Sequence, residues 1–109
     1  MITVTFKHGE TDALDEIIVK GHAGYAEAGQ DIVCAAVSVL TITLVNGLEE
    51  VVGIKDLQRE VKAGYTALKV PSSVDEAQTL RIDTLIRTYE LGVRQTAEAY
   101  PEYICIIDE

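Results

Sequence analysis

Apolar and polar residues alternate along ITVTFK (Ile2–Lys7), the period-two pattern of a strand with one buried face. HGETDA carries turn residues, and LDEIIVKGH reads as a second strand that pairs with the first as a hairpin and stops at Gly21. From Asp31 the period changes. Val33, Val37, Leu40, Leu44 and Leu48 recur at helical spacing, and Ile32, Val39 and Val51 widen that face. The pattern predicts a helix buried on more than one side, capped by Asp31 and ended at Gly53. DLQREVKAGYTALKV returns to two short strands joined at Ala63-Gly64 and stopped by Pro71. SVDE (Ser73–Glu76) fits a capping box in which Ser73 caps and Glu76 reaches back. The helix after it has an apolar stripe at Ile82, Leu85, Ile86, Tyr89, Val93 and Tyr100, with Gly92 a weak point within it. Pro101 closes that helix, and YICII supplies a last strand. The order is ββαββαβ: one α+β domain over residues 1–109, a mostly antiparallel sheet packed with two long helices.

Composition narrows the class. A 109-residue chain with 48% hydrophobic residues holds a core of its own, and 25% charged residues is ordinary for a globular domain. The net charge of −9 repels a phosphate backbone, which argues against direct nucleic-acid binding, and it draws a basic partner inward. Cys34 and Cys105 form no CxxC and are too few for a disulfide framework, so reduced thiols and a cytoplasmic setting are expected. The first ten residues, MITVTFKHGE, show no signal peptide. IVCAAVSVLTITLVNGL reads as too short and too polar to span a bilayer, so no membrane partner is expected.

The segment with chemistry is GHAGYAEAGQDIVCAAVS, residues 21–38. With Asp31 as N-cap, Cys34 is the third helical residue, where unpaired N–H groups and the positive end of the helix dipole favour a thiolate, the nucleophilic form. The same N–H groups are candidates to hold a developing oxyanion. His22 is the only histidine near in sequence, and a ten-residue loop can fold it back to Cys34 as base and then acid. On spacing alone the bland alternative stands: a cysteine on an apolar helix is ordinarily a small core residue. Cys105, within ICII and away from any histidine, reads as core, and His8 beside Gly9 as an exposed turn residue. Asp31 is open between capping and orienting His22 as a third catalytic member. Ser38, one turn after Cys34, shares its face and either lines the site or bonds back to the helix. Gly21, Gly24 and Gly29 make residues 21–30 either a plain flexible loop or a mobile lid that brings His22 to Cys34.

The motif resembles that of the ribosomal-processing cysteine protease family (Prp, YsxB-like). Gly21, His22 and Ala23 are followed by Gly29, Asp31, Val33, Cys34 and Ala35, with Ser38 four residues beyond the cysteine. The resemblance implies a cysteine endopeptidase without a metal or other cofactor, with Cys34 as nucleophile and His22 as general base and acid. Asp31 and Ser38 are motif positions of open role. The implied substrate is a basic ribosomal protein, large-subunit protein twenty-seven, held by an apolar N-terminal extension that the enzyme removes in certain bacteria. The resemblance further implies a homodimer and a mobile histidine loop. Two rivals stand beside it: a non-enzymatic ribosome-assembly factor that binds the same extension, and a metal or redox module, for which two ligands are too few.

Overall fold

The structure, a computed structural model, describes residues 1–27 and 29–109. Five strands form one sheet in the order β3-β4-β2-β1-β5. The hairpin of β1 (Ile2–His8) and β2 (Leu14–Lys20) is its centre. The connection is closed by the Gly9 N–H on the Ala13 carbonyl at 2.8 Å, with Asp12 at φ +63. β4 (Tyr65–Lys69) pairs antiparallel with β2, and β3 (Arg59–Lys62) antiparallel with β4. β5 (Ile104–Asp108) runs parallel to β1. Three of the four pairings are therefore antiparallel, as the pattern predicts.

The alternation of β1 puts Ile2, Val4 and Phe6 on one face, and the pairing carries Ile17, Leu68 and Ile104 to the same side. All six are buried. Helices α1 (Ile32–Asn46) and α2 (Glu76–Ala99) cover this face. Val33, Val37 and Leu44 of α1 and Ile82, Ile86, Tyr89 and Val93 of α2 complete the core. Arg94 lies 5.0 Å over the Phe6 ring and bonds both Glu90 and Asp108, so it ties α2 to β5.

Several expectations need correction. The helical run does not stay α-helical to Gly53: residues Gly47–Val51 form one π turn, and Leu48 within it is buried in the core. The second side of the helical run is not buried: Ile32, Val39, Ile42 and Val51 are 53, 60, 49 and 80% exposed. The run Ile32–Val51 is 20 residues long and holds an 18-residue stretch of mean hydropathy 1.9, so length and polarity do not exclude a membrane span, contrary to the expectation from the sequence. In this fold its buried residues pack on the sheet, and its buried Thr41 hydroxyl is satisfied by the Val37 carbonyl and Tyr89 Oη. The cap of α2 is Asp75, not Ser73: Asp75 Oδ1 accepts from the Gln78 N–H, and Gln78 Oε1 accepts from Val74, because chain entry is two residues later than the SVDE pattern implied. Cys105 is half-buried but lies outside the core, since its strand position faces the uncovered side of the sheet. His8 is exposed at the end of β1, where its Nδ1 meets the Glu109 carbonyl.

Candidate active site

The site is assembled where β2 leaves the sheet. Gly21 turns the chain at φ +97, and a Cβ there would collide with the Met1 carbonyl oxygen. Its N–H donates to the Gly64 carbonyl at 2.9 Å, in the turn between β3 and β4. The next two residues point opposite ways. His22 is exposed, with its carbonyl accepting from the Met1 amine at 2.6 Å. Ala23 is buried, 4% exposed, and its N–H donates to Cys34 Sγ at 3.2 Å. A backbone donor from the histidine loop therefore rests on the sulfur at the start of α1.

Asp31 accounts for much of this arrangement. Its backbone is extended, φ −84 and ψ 99, as an N-cap requires. Oδ1 accepts from Val33 and Cys34 N–H at 3.0 and 2.9 Å. Oδ2 reaches back to the Tyr25 N–H at 3.0 Å and the Ala26 N–H at 3.4 Å. One carboxylate thus joins the helix start to the loop. The Cys34 N–H, more than any other group, holds its pKa below the ordinary 3.8, with burial opposing and the other three N–H groups assisting. Two helix N–H groups counted as free for an oxyanion are therefore taken, and the Ala35 N–H is bonded to the Asp31 carbonyl.

The loop has more to pack than its glycines and alanines suggest. The Tyr25 ring meets Tyr100 and Tyr103 edge-on, with centroids 5.9 and 5.2 Å apart. Ala28, part of the 21–30 segment read as a lid, lies outside the described residues.

His22, Cys34 and Ser38 are common walls of two depressions. One, about 250 Å³, extends over Val19, Val37, Ile42, Val61 and the β3–β4 turn. The other, about 480 Å³, is bounded by small and acidic residues: Gly24, Ala26, Gly29, Asp31 and Ala35. A chain laid across both would pass a thiol, an imidazole and a hydroxyl. Among the described residues no hydrogen bond joins His22 to Cys34 or to Asp31. No group of three or more His, Cys, Asp or Glu stands close enough among them to hold a metal. A larger cavity, about 530 Å³, opens beside Lys55, Lys69, Pro71 and Gln78, and holds neither thiol nor imidazole.

Ala23 as a donor, Tyr25 as an anchor and Gly64 as a neighbour of His22 were not legible in the sequence. Gly-His-Ala was visible as a motif, but which of its amides faces the sulfur depends on the path off β2. The Ala63-Gly64 pair was visible only as a turn.

The sequence matches the family described as cysteine protease Prp over residues 1–105. A Bacillus subtilis protein named ribosomal processing cysteine protease Prp is 28% identical, with 88% of this chain and 96% of that one covered. A crystal structure of the ribosomal processing protease Prp from Staphylococcus aureus, in complex with a covalently linked product peptide, superposes with a TM-score of 0.76 at 26% identity over the whole of both chains. A Streptococcus mutans protein of known structure superposes at 0.75 with 34% identity, over all of this chain and 96% of that one.

Proposed function

The chain belongs to the cysteine protease Prp family, and on that premise we propose that it is an endopeptidase in which Cys34 is the nucleophile and His22 the general base and acid. Its substrate in this reading is the N-terminal extension of large-subunit ribosomal protein twenty-seven. The observation that carries the reading is the Ala23 N–H on Cys34 Sγ, at the point where His22 and Cys34 share the walls of both depressions.

The extension lies across the two depressions, with apolar side chains over Val37, Ile42 and Val61. His22 takes the thiol proton, and the sulfur attacks the scissile carbonyl carbon. The Ala23 N–H, which rests on the sulfur before attack, passes to the oxygen as it gains charge, while the helix N–H groups stay with Asp31. The carbon–nitrogen bond then breaks, and His22 delivers its proton to the leaving amine. Water, deprotonated by the same imidazole, cleaves the thioester and restores the thiol. Ser38 lines the site. Asp31 acts on the loop and the helix start.

The net charge of −9 favours encounter with a basic ribosomal protein in the cytoplasm. Homodimer formation covers the exposed side of α1 at Ile32 and Val39, which a monomer leaves in water. Sedimentation of an Ile32→Asp, Val39→Asp double variant tests the dimer; an unchanged mass would remove that surface from consideration.

The direct test incubates the protein with an extension peptide and follows it by mass spectrometry. Two fragments are expected, and none with Cys34→Ala or His22→Ala. Cleavage by Cys34→Ala at the parent rate would overturn the reading. An intact but bound peptide would replace it with a non-enzymatic binder.

A further inference from the structure

We infer that Gly64, in the turn between β3 and β4, is a positioning residue for the His22 imidazole. The inference rests on the proposed role of His22 and adds what holds that ring in place. The turn touches the histidine segment twice. The Gly64 carbonyl accepts from the Gly21 N–H at 2.9 Å, which fixes the backbone one residue before the histidine. The imidazole then lies against Gly64 itself: a Cβ there would sit 3.0 Å from Nε2, 3.3 Å from Cε1 and 3.7 Å from Cδ2. The Nε2–Cε1 edge of the ring is thus backed by bare backbone.

His22 is exposed, and among the described residues its hydrogen bond is through its carbonyl and not its ring. A wall behind the imidazole keeps it over the groove that it shares with Cys34. The first atom of any side chain at position 64 would crowd the ring, and the exposed ring would give by a few tenths of an ångström. Displacements well below 1 Å are enough to slow a proton transfer, because the donor and acceptor must meet within hydrogen-bond distance. Residues 63 and 64 also line the apolar depression, so the same turn meets both the base and the substrate.

Gly64 has φ +71, so a side chain there strains the turn as well as crowding the ring. Gly53 separates the two effects. Its φ is +86, and a Cβ on it meets nothing within 4 Å. Gly64→Ala and Gly64→Asn are therefore compared with Gly53→Ala and Gly53→Asn; asparagine tolerates the left-handed conformation and keeps both folds accessible. The readouts are cleavage of the extension peptide, split into kcat and KM, and the imidazole carbon–proton signals in nuclear magnetic resonance. The chain has only two histidines, and His8→Gln assigns the pair.

The expected result is a kcat lowered about 10-fold in both Gly64 variants, with KM changed less than about twofold. The His22 signal shifts, the His8 signal stays, and both Gly53 variants keep the parent kcat and parent signals. Parent kcat and an unmoved His22 signal in folded Gly64→Asn would overturn the inference. Equal losses in the Gly53 variants would overturn it too, since strain alone would then explain them. Failure of the underlying reading looks different: His22→Ala would retain cleavage, whatever Gly64 does. Because the signal of His22 is read without substrate, its response to position 64 stands independently of that outcome.

Discussion

The two helices of this protein begin with the same device and put it to different ends. Asp31 and Asp75 each cap a helix from an extended backbone, and each accepts from the N–H of the third helical residue, Cys34 or Gln78. In both, the side chain of that third residue accepts a backbone N–H from upstream. At α2 the loop is closed locally: Gln78 Oε1 takes the Val74 N–H four residues away. At α1 the acceptor is Cys34 Sγ and the donor is Ala23, eleven residues away. Asp31 also uses its second oxygen on Tyr25 and Ala26, whereas the recorded bond to the Asp75 carboxylate stays within its own helix start. The difference is one of reach. A cap that closes on itself ends a helix; one that reaches across a loop brings an imidazole-bearing segment to a thiol.

The largest effect should separate the two third residues. Cys34→Ala should lower kcat/KM for an extension peptide about a thousandfold or more while leaving the fold intact, because a half-buried thiol at the rim of the core is replaced by a small apolar group. Gln78→Ala should leave kcat/KM unchanged and cost about 1 kcal/mol by releasing the Val74 N–H. Peptide turnover and denaturant midpoints measure both. Equal turnover in the two variants would erase the functional distinction between the helix starts.

The element order was legible because each segment carries its own period, two in β1 and 3.6 in α2, and because Asp31 stands immediately before an apolar run. The two hairpin pairings were legible as well, but the partners beyond them were not: β5 lies parallel to β1 only because α2 carries the chain across the whole covered face, and no local period records that. The exposed side of α1 was misread for a related reason. Val39 and Ile42 are apolar, but whether an apolar side is buried depends on what faces it. At the site, the types and spacing of His22, Asp31 and Cys34 were readable, since cap and cysteine lie within one turn. The Ala23 donor depends on a loop closing back on Cys34 eleven residues later, and the Gly64 wall on a turn 42 positions beyond His22 meeting its ring. Ser73 and Glu76 show the opposite failure: a good local pattern yielded to Asp75 and Gln78, which cap one turn with equal chemistry.

The two caps offer the next test. Asp31→Asn keeps one oxygen for the helix N–H groups but replaces the oxygen that faces Tyr25 and Ala26 with an amide donor. We expect near-parent stability and a kcat about 10-fold lower, because the loop that bears Ala23 and His22 loses its hold. Asp75→Ala should behave in reverse, with parent kcat and a stability loss of about 1 kcal/mol. A smaller change is expected from Tyr25→Ala. It removes the ring contacts to Tyr100 and Tyr103 but leaves the Asp31 bond to the residue 25 amide, so kcat/KM should fall about threefold. Peptide kinetics decide each case; a larger loss in Tyr25→Ala than in Asp31→Asn would move the hold on the loop from the carboxylate to the aromatic ring.

The smallest effect lies in acid, where a proton on Asp31 should release its hold on the loop. The Asp31 carboxyl is held below 3.8, chiefly by the Cys34 N–H. A carboxyl whose folded pKa lies below its unfolded one contributes stability that is fully present above the unfolded value and is lost as pH falls through the folded one. The gap in thermal midpoint between the parent and Asp31→Ala should therefore stay constant from neutral pH down to about 4 and close only below it. Asp108, lowered by its bond to Arg94, titrates alike in both proteins and cancels in that difference. Hydrogen exchange locates the effect: the Tyr25 and Ala26 amides should lose protection in step with the closing gap, because they share Oδ2, while the Val74 amide at the other helix start should not follow Asp31. A gap that narrowed between pH 7 and 5 would mean that some other group holds the loop.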